Sequence, residues 1–304
     1  MNNRLKQLIG AVLCCYALSA SLWAQQSEVV IKTEKLTDSI YVLMGQGGNI
    51  GLLTGADGVL LVDDDMKPVA TALQKVVQEI AAQPVRFVLN THWHFDHTGG
   101  NGPLADAGAI IVAHDNVRAR MGKDQYIALF DIEKAASAVN ELPIITFSDE
   151  LSFHITGEDV RVVHIGPGHT DGDAVVIFPK ANIIHMGDLF FNGRYPVIDL
   201  GVGGSLNGMI ASIDKAMPYI KDDTVLIPGH GPVSDVQGLR IFRDMLQTMR
   251  QRVTALVAEG KSLDEVIAAA PSSDFDAVWA WQFLPPERWT TLVYKSITQS
   301  EGTE

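Results

Sequence analysis

Val88-Leu89-Asn90-Thr91-His92-Trp93-His94-Phe95-Asp96-His97-Thr98-Gly99-Gly100-Asn101 is the stretch from which the rest of this chain can be read. An apolar run that starts at Phe87 ends in three histidines and one aspartate within six residues, and two glycines follow at once. Packing does not call for such a cluster. Imidazole and carboxylate together are the donors that zinc prefers. If the strand continued through the cluster, His92, His94 and Asp96 would share one face, because side chains alternate along a strand. His97 would then point elsewhere, which suits two adjacent ions better than one.

Outward from this stretch, the pattern alternates between strands and helices. Val29–Lys32, Ile40–Met44, Ile50–Thr54 and Val59–Asp63 are expected strands, parted by the turn signals Gly47-Gly48-Asn49 and Ala56-Asp57-Gly58. A meander is the simplest arrangement. The run Asp63-Asp64-Asp65 is expected on a solvated loop or a helix start, with a hard-cation site as the alternative. Pro68 to Ala82 has helical spacing, with Pro68 in the first turn. A short helix and a strand at Gly108–Ala113 complete a crossover unit after Phe87–Asn90. Residues 114–142 are polar and partly helical, and read equally as a lid or as a surface helix. Further strands are expected at Ile144–Phe147, Leu151–Ile155, Val160–Ile165, Val175–Phe178, Asn182–Met186 and Val225–Ile227. Helices are expected at Gly204–Ile220, Val236–Ala258, Leu263–Ala269 and Glu287–Thr298. The aromatic group Trp279-Ala280-Trp281-Gln282-Phe283 reads as core, with a substrate rim as the alternative.

A chain of 304 residues can bury a sizeable core. Its net charge of -13 opposes nucleic-acid binding, which needs a basic surface. Residues 1–24 have a basic start at Arg4 and Lys6, an apolar stretch from Leu8 to Ala20, and a small residue at Ala24. They read as a signal peptide cleaved after Ala24, with a retained anchor as the alternative. The protein is then expected to be periplasmic or secreted, with no stable membrane insertion after cleavage. Residues 25–304 are expected to form a single domain with a helical C-terminal part. Both cysteines, Cys14 and Cys15, lie in the leader, so the remainder has neither a disulfide nor a thiolate ligand. The oligomeric state is not legible.

Three later positions repeat the grammar of the opening stretch. His169, Asp188 and His230 each follow a glycine at the end of an apolar run. With His92-x-His94-x-Asp96-His97, the sequences Gly168-His169-Thr170, Gly187-Asp188 and Gly229-His230-Gly231 resemble the motif set of the metallo-β-lactamase superfamily. The resemblance covers about residues 29–258. It implies an α/β fold, a four-layer αβ/βα sandwich with metals at one edge of two facing sheets. It also implies two Zn2+ per chain. His92, His94 and His169 would hold one, Asp96, His97 and His230 the other, and Asp188 would bridge them. One large lactamase group has cysteine at the bridging position and a lysine three residues later. Here those positions are Asp188 and Phe191; the Asp/His/His second set is similar to another lactamase group and to glyoxalase II, and the bridging aspartate leans toward glyoxalase II and lactonase-like enzymes. His114, His154, His164 and His185 match no family ligand and are expected in the core or behind the ligands. His114 also reads as a helix-start residue.

The implied chemistry is attack by a metal-held hydroxide on a carbonyl of a small ester or amide, with Asp96 orienting the nucleophile as the catalytic carboxylate. Asn192 and Arg194 are the candidate substrate contacts, or else part of a structural loop. Gly203-Gly204-Ser205 reads as a plain helix cap rather than an anion site. The favoured function is a zinc hydrolase of a small-molecule substrate, with β-lactam hydrolysis as the leading specific case. A glyoxalase II-like thioesterase or a lactonase is the alternative within hydrolases. Of other classes, a mononuclear iron persulfide dioxygenase shares the fold, and a nuclease is opposed by the acidic charge.

Overall fold

In the computed structural model, which describes residues 29–300, two sheets face each other and carry helices on their outer sides. The first sheet has seven strands: β1 (Lys32–Lys35), β2 (Ile40–Met44), β3 (Ile50–Gly55), β4 (Gly58–Val62), β5 (Val85–Asn90), β6 (Ile110–His114) and β9 (Ile145–Phe147). The first four form the expected antiparallel meander, and β4, β5, β6 and β9 run parallel. The second sheet orders β10 (Glu150–Ile155), β11 (Glu158–His164), β12 (Ala174–Phe178), β13 (Ile183–His185) and β14 (Val225–Ile227), with only the last pair parallel.

Strand β4 shows why the layers form. It is Gly-Val-Leu-Leu-Val, apolar at every side-chain position and buried throughout. Leu60 and Val62 face inward, against Val160, Val162, Val176 and Phe178 of the second sheet. Val59 and Leu61 face outward, against Leu73 and Val77 of helix α1 (Ala70–Ile80). Alternation along the strand thus sends neighbouring residues into two different cores. The second sheet does the same: Val176 and Phe178 face the first sheet, while Val175 and Ile177 pack on helices Leu206–Ala216, Val236–Ala258 and Pro286–Ser300. Full burial of each such side chain contributes about 1.5–3 kcal/mol. The result is four layers, helix, sheet, sheet, helix. Among the described residues no helix is long and apolar enough to cross a membrane. The leader expected over residues 1–24 lies outside the described residues.

Several expectations are corrected. The first strand is Lys32–Lys35 and not Val29–Lys32, because the tight turn in which Thr37 Oγ1 accepts the Ser39 and Ile40 N–H groups sets its pairing with β2. The helix expected over 204–220 runs from Leu206 to Ala216 and tightens into a 3-10 turn at Met217–Tyr219, where Pro218 has no N–H to give. Ser205 caps its start by accepting the Gly208 N–H at 2.9 Å. Residues 114–142 are neither one helix nor a featureless loop. A helix (Asp115–Met121) is followed by a two-stranded hairpin, β7 (Gln125–Ile127) and β8 (Ile132–Lys134). The aromatic group divides: Trp279 is core, whereas Trp281 and Phe283 stand at the rim of a cavity. His154, expected in the core or behind the ligands, is exposed and paired with Asp159 at 2.8 Å. His114 caps the helix that follows it, accepting the Asn116 N–H, and stacks on His164 at 3.9 Å.

Candidate metal centre

All the sheet ends that carry the histidine and aspartate motifs meet at one edge of the sandwich. Strand β5 stops at Asn90, and Phe95–Thr98 winds into one helical turn. The cluster is therefore not a continued strand, and the expected sharing of a face is wrong for Asp96. His92 and His94 join His169 and Asp188 in one group, while Asp96 and His97 join His230 in another. Within each group the donor atoms lie within 4.8 Å of one another. His169 lies on the loop between β11 and β12, Asp188 on a turn after β13, and His230 directly after β14.

In the first group, His169 Nε2 lies 2.8 Å from His94 Nδ1 and 3.4 Å from Asp188 Oδ2. His92 Nε2 lies 3.8 Å from the same carboxylate oxygen. In the second, His97 Nε2 lies 3.3 Å from His230 Nε2 and 3.7 Å from Asp96 Oδ2, and His230 Nε2 lies 3.3 Å from Asp96 Oδ2. Asp188 also reaches this group, with Oδ1 at 3.2 Å from His97 Nε2 and Oδ2 at 3.4 Å from His230 Nε2. Both groups thus converge on one carboxylate.

Two side chains and one backbone carbonyl that no local motif announces fix the ring orientations. Asp199 accepts from His94 Nε2 at 3.0 Å, so that Nδ1 faces the site. Asp63 does the same for His97, at 2.8 Å from Nδ1, and also accepts the Thr91 N–H and hydroxyl. The Val197 carbonyl accepts from His169 Nδ1 at 2.7 Å. Asp173 holds the His169 loop itself by accepting the N–H groups of Gly168, His169 and Thr170. The run Asp63-Asp64-Asp65, expected to be solvated, is completely buried. Its carboxylates meet backbone donors instead: Asp64 accepts the Gly100 N–H, and Asp65 those of Gln46, Gly47 and Met66. Two glycines serve close approach. A Cβ at Gly229 would fall 2.0 Å from Asp188 Oδ1, and one at Gly48 would fall 2.1 Å from His97 Cε1.

The donor set suits cations. His92 Nε2 and Asp188 Oδ1 are buried with no hydrogen-bond partner among the described residues, an arrangement that is costly unless something occupies the space between them. Burial pushes His92 well below the ordinary imidazole value and His169 down to about 4, which leaves the neutral rings that a metal needs. At His230 burial is outweighed by Asp188 and Asp96, which raise it to about 9. For Asp188, His97 and His230 outweigh burial in turn and hold the carboxyl well below its ordinary value. Three imidazoles with Asp188 in one group, and two imidazoles with Asp96 in the other, are borderline donors in the number that a zinc-type ion takes.

A profile describing the metallo-beta-lactamase superfamily matches residues 43–230. The chain belongs to the metallo-beta-lactamase superfamily. That superfamily comprises metallo-hydrolases, and the His/Asp groups above are this member's metal-type cluster. Among curated relatives, "Hydroxyacylglutathione hydrolase" of Polaromonas sp. is 30% identical over 169 residues, or 55% of this chain and 54% of the relative. "Lactamase-like protein aptB" of Emericella nidulans is 27% identical over 221 residues, or 71% of this chain and 62% of the relative. The match therefore spans little more than half the length of these relatives. Among solved structures, a metallo-beta-lactamase from Pontibacter korlensis aligns with a TM-score of 0.58 at 20% identity, covering 72% of this chain and 99% of the other. The sec-alkylsulfatase Pisa1 from Pseudomonas sp. aligns at 0.66 and 16% identity, covering 88% and 50%. At such identities these two share the fold. It is the expected sandwich.

Above the metal-type cluster lies a cavity of about 460 Å³. Asp96, Asp188 and His230 form its floor, and Ile127, Phe130 and Ile132 of the β7–β8 hairpin form one wall. Of the two residues expected to touch substrate, Arg194 lines this cavity. Asn192 does not: its side chain donates to the Pro232 carbonyl at 2.9 Å.

Proposed function

We propose that this protein is an exported, periplasmic or secreted, dinuclear zinc hydrolase of a small ester or amide, with β-lactams as the leading specific case. The observation that carries the reading is Asp188, one carboxylate shared by two groups of imidazole and carboxylate donors on the floor of a cavity. His92, His94 and His169 would hold one ion, Asp96, His97 and His230 the other, with Asp188 between them. Zinc bound there supplies Lewis acidity and a water acidic enough to be deprotonated near neutral pH.

The chain's own residues supply the rest. Asp96 is the most exposed of the cluster's carboxylates, and its Oδ2 opens to the cavity floor. It can accept a proton from an attacking water and pass it to a leaving group. Phe191 stacks on the His230 ring at 5.1 Å, which fixes that imidazole and covers one side of the floor. The Ile127, Phe130 and Ile132 wall keeps bulk water from a bound substrate and strengthens electrostatic contacts inside. Arg194 is placed to pair with a substrate carboxylate. No protein nucleophile is needed.

A second reading, a thioesterase or lactonase, has its own support in the aspartate at position 188 and in the hydroxyacylglutathione hydrolase relative. A panel of β-lactams, lactones, thioesters and phosphodiesters on zinc-loaded protein lacking residues 1–24 separates the readings. Hydrolysis of a carbonyl substrate, lost with chelator and regained with zinc, is expected. Turnover of phosphodiesters alone would reject acyl chemistry. Elemental analysis showing one iron and no zinc would favour the dioxygenase class instead.

A further inference from the structure

The C-terminal segment from Asp276 to Arg288 lies beyond the region that matches the superfamily, yet it builds one side of the cavity mouth. Trp281, Phe283 and Arg288 line the cavity together with Arg194. The Arg194 guanidinium lies over the Trp281 ring at 5.1 Å. Trp281 and Phe283 meet edge to face at 5.2 Å, and Phe283 meets Phe130 of the hairpin across the opening at 6.3 Å. Arg288 is held by donation to the Phe283 carbonyl at 3.0 Å.

Two features make this rim a binding element rather than loose surface. It is braced from below: Trp281 Nε1 donates to the Tyr195 carbonyl at 3.0 Å, Tyr195 donates its hydroxyl to Asp276 at 2.7 Å, and the Tyr195 ring stacks on Trp289. It is also electrostatically unfinished. Among the described residues, neither Arg194 nor Arg288 has a carboxylate within ion-pair distance, although acidic residues outnumber basic ones, 36 to 23, in this chain. Arg194 is partly buried, lies over an aromatic face, and feels Asp188 only from beyond ion-pair distance. A cation kept from the many available carboxylates, beside a flat apolar surface, is complementary to an anion carried on an apolar ring.

We infer that the C-terminal segment is the specificity element of the cleft, and that it recognises substrates in which a carboxylate is attached to a planar apolar group. The ring lies on the apolar side of the cavity against Phe130, Trp281 and Phe283, and the carboxylate meets Arg194 and Arg288. This deepens the hydrolase reading and rests on it for the word substrate, but the recognition itself is a binding property that can be measured without turnover.

The test is calorimetric titration of the chelator-treated protein with a non-hydrolysable aryl carboxylate and with the matching uncharged carboxamide. Without metal, the carboxylate has no zinc to bind, so the rim alone is read. The carboxylate should bind at least about tenfold more tightly than the amide. Arg194→Gln and Arg288→Gln should each lower its affinity about five- to tenfold without altering that of the amide, while Phe283→Ala should weaken both ligands. Equal binding of acid and amide would overturn the proposal, as would unchanged affinity in both arginine variants. If the acid binds as expected but the zinc-loaded protein cleaves no carbonyl substrate, the recognition stands and the hydrolase reading fails.

Discussion

Asp199 carries more of the site than its place in the sequence suggests. It accepts from His94 Nε2 and so commits the other ring nitrogen to the cluster. Carboxylates behind metal-binding histidines fix the tautomer and raise the basicity of the ligand. Asp199→Ala should therefore weaken metal binding in the first group by about 10–100-fold, measured by competition with a chromophoric chelator. An unchanged affinity would show that Asp199 only caps the turn it begins, where it also accepts the Gly201 N–H. The seven metal-type side chains were legible because each stands in a short glycine-bounded motif. Asp199 was not, because it lies 105 residues from its histidine. Asp63 is legible as an acid but not in its role: three adjacent acids look solvated, and only the fold reveals the Thr91 and His97 donors that meet Asp63 and the backbone N–H groups that meet its neighbours. Asn49, whose side chain donates to the Pro228 and Gly231 carbonyls and so anchors the His230 loop, stood out only as a turn residue.

At the scale of elements, strands that are apolar at every position could be placed from sequence to within a residue or two, since burial on both faces leaves no other composition. The 23-residue helix Val236–Ala258 was legible for a similar reason, its long apolar stripe. The β7–β8 hairpin was not, because its strands have three residues each and its few apolar side chains are divided between a small core around Trp93 and the cavity. The rim segment was half legible for the same reason: Trp279 is bound into the core while Trp281, two residues on, is not. Among the bonds that join that segment to the body is the Tyr195 hydroxyl on Asp276, a hydrogen bond to a carboxylate of the kind that contributes about 1.5–3 kcal/mol. Tyr195→Phe keeps the ring stacked on Trp289 and removes this bond together with the longer one, 3.4 Å, to the Ser272 carbonyl. Its expected result is a raised KM with kcat nearly unchanged, together with a loss of about 1–2 kcal/mol in urea unfolding. A fall in kcat at constant KM would mean that the tyrosine reports on the metal centre and not on the rim.

For the molecule as a whole, the position of the cluster has a mechanical consequence. His92, His94, Asp96 and His97 hang from the end of a strand in the seven-stranded sheet, while His169, Asp188 and His230 hang from the five-stranded one. An ion in either group therefore ties the two sheets together at the edge where His92 Nε2 and Asp188 Oδ1 otherwise lie buried without partners among the described residues. The unfolded chain scatters these ligands over a sequence span from 92 to 230 and has little affinity to set against this. Binding to the native state alone stabilises it by RT ln(1 + [L]/Kd), about 2.7 kcal/mol at a hundredfold excess over Kd. In a unit of this size, 1 kcal/mol moves Tm by about 2–4 °C. Zinc at that excess should thus raise the Tm of chelator-treated protein by roughly 5–10 °C, and an Asp188→Ala variant, which lacks the shared carboxylate, should lose most of the gain. Scanning calorimetry of the two proteins with and without zinc decides the matter. A Tm indifferent to zinc in the unmodified chain would mean that the ligands do not close on a metal across the sheets, and would remove the basis of the dinuclear reading.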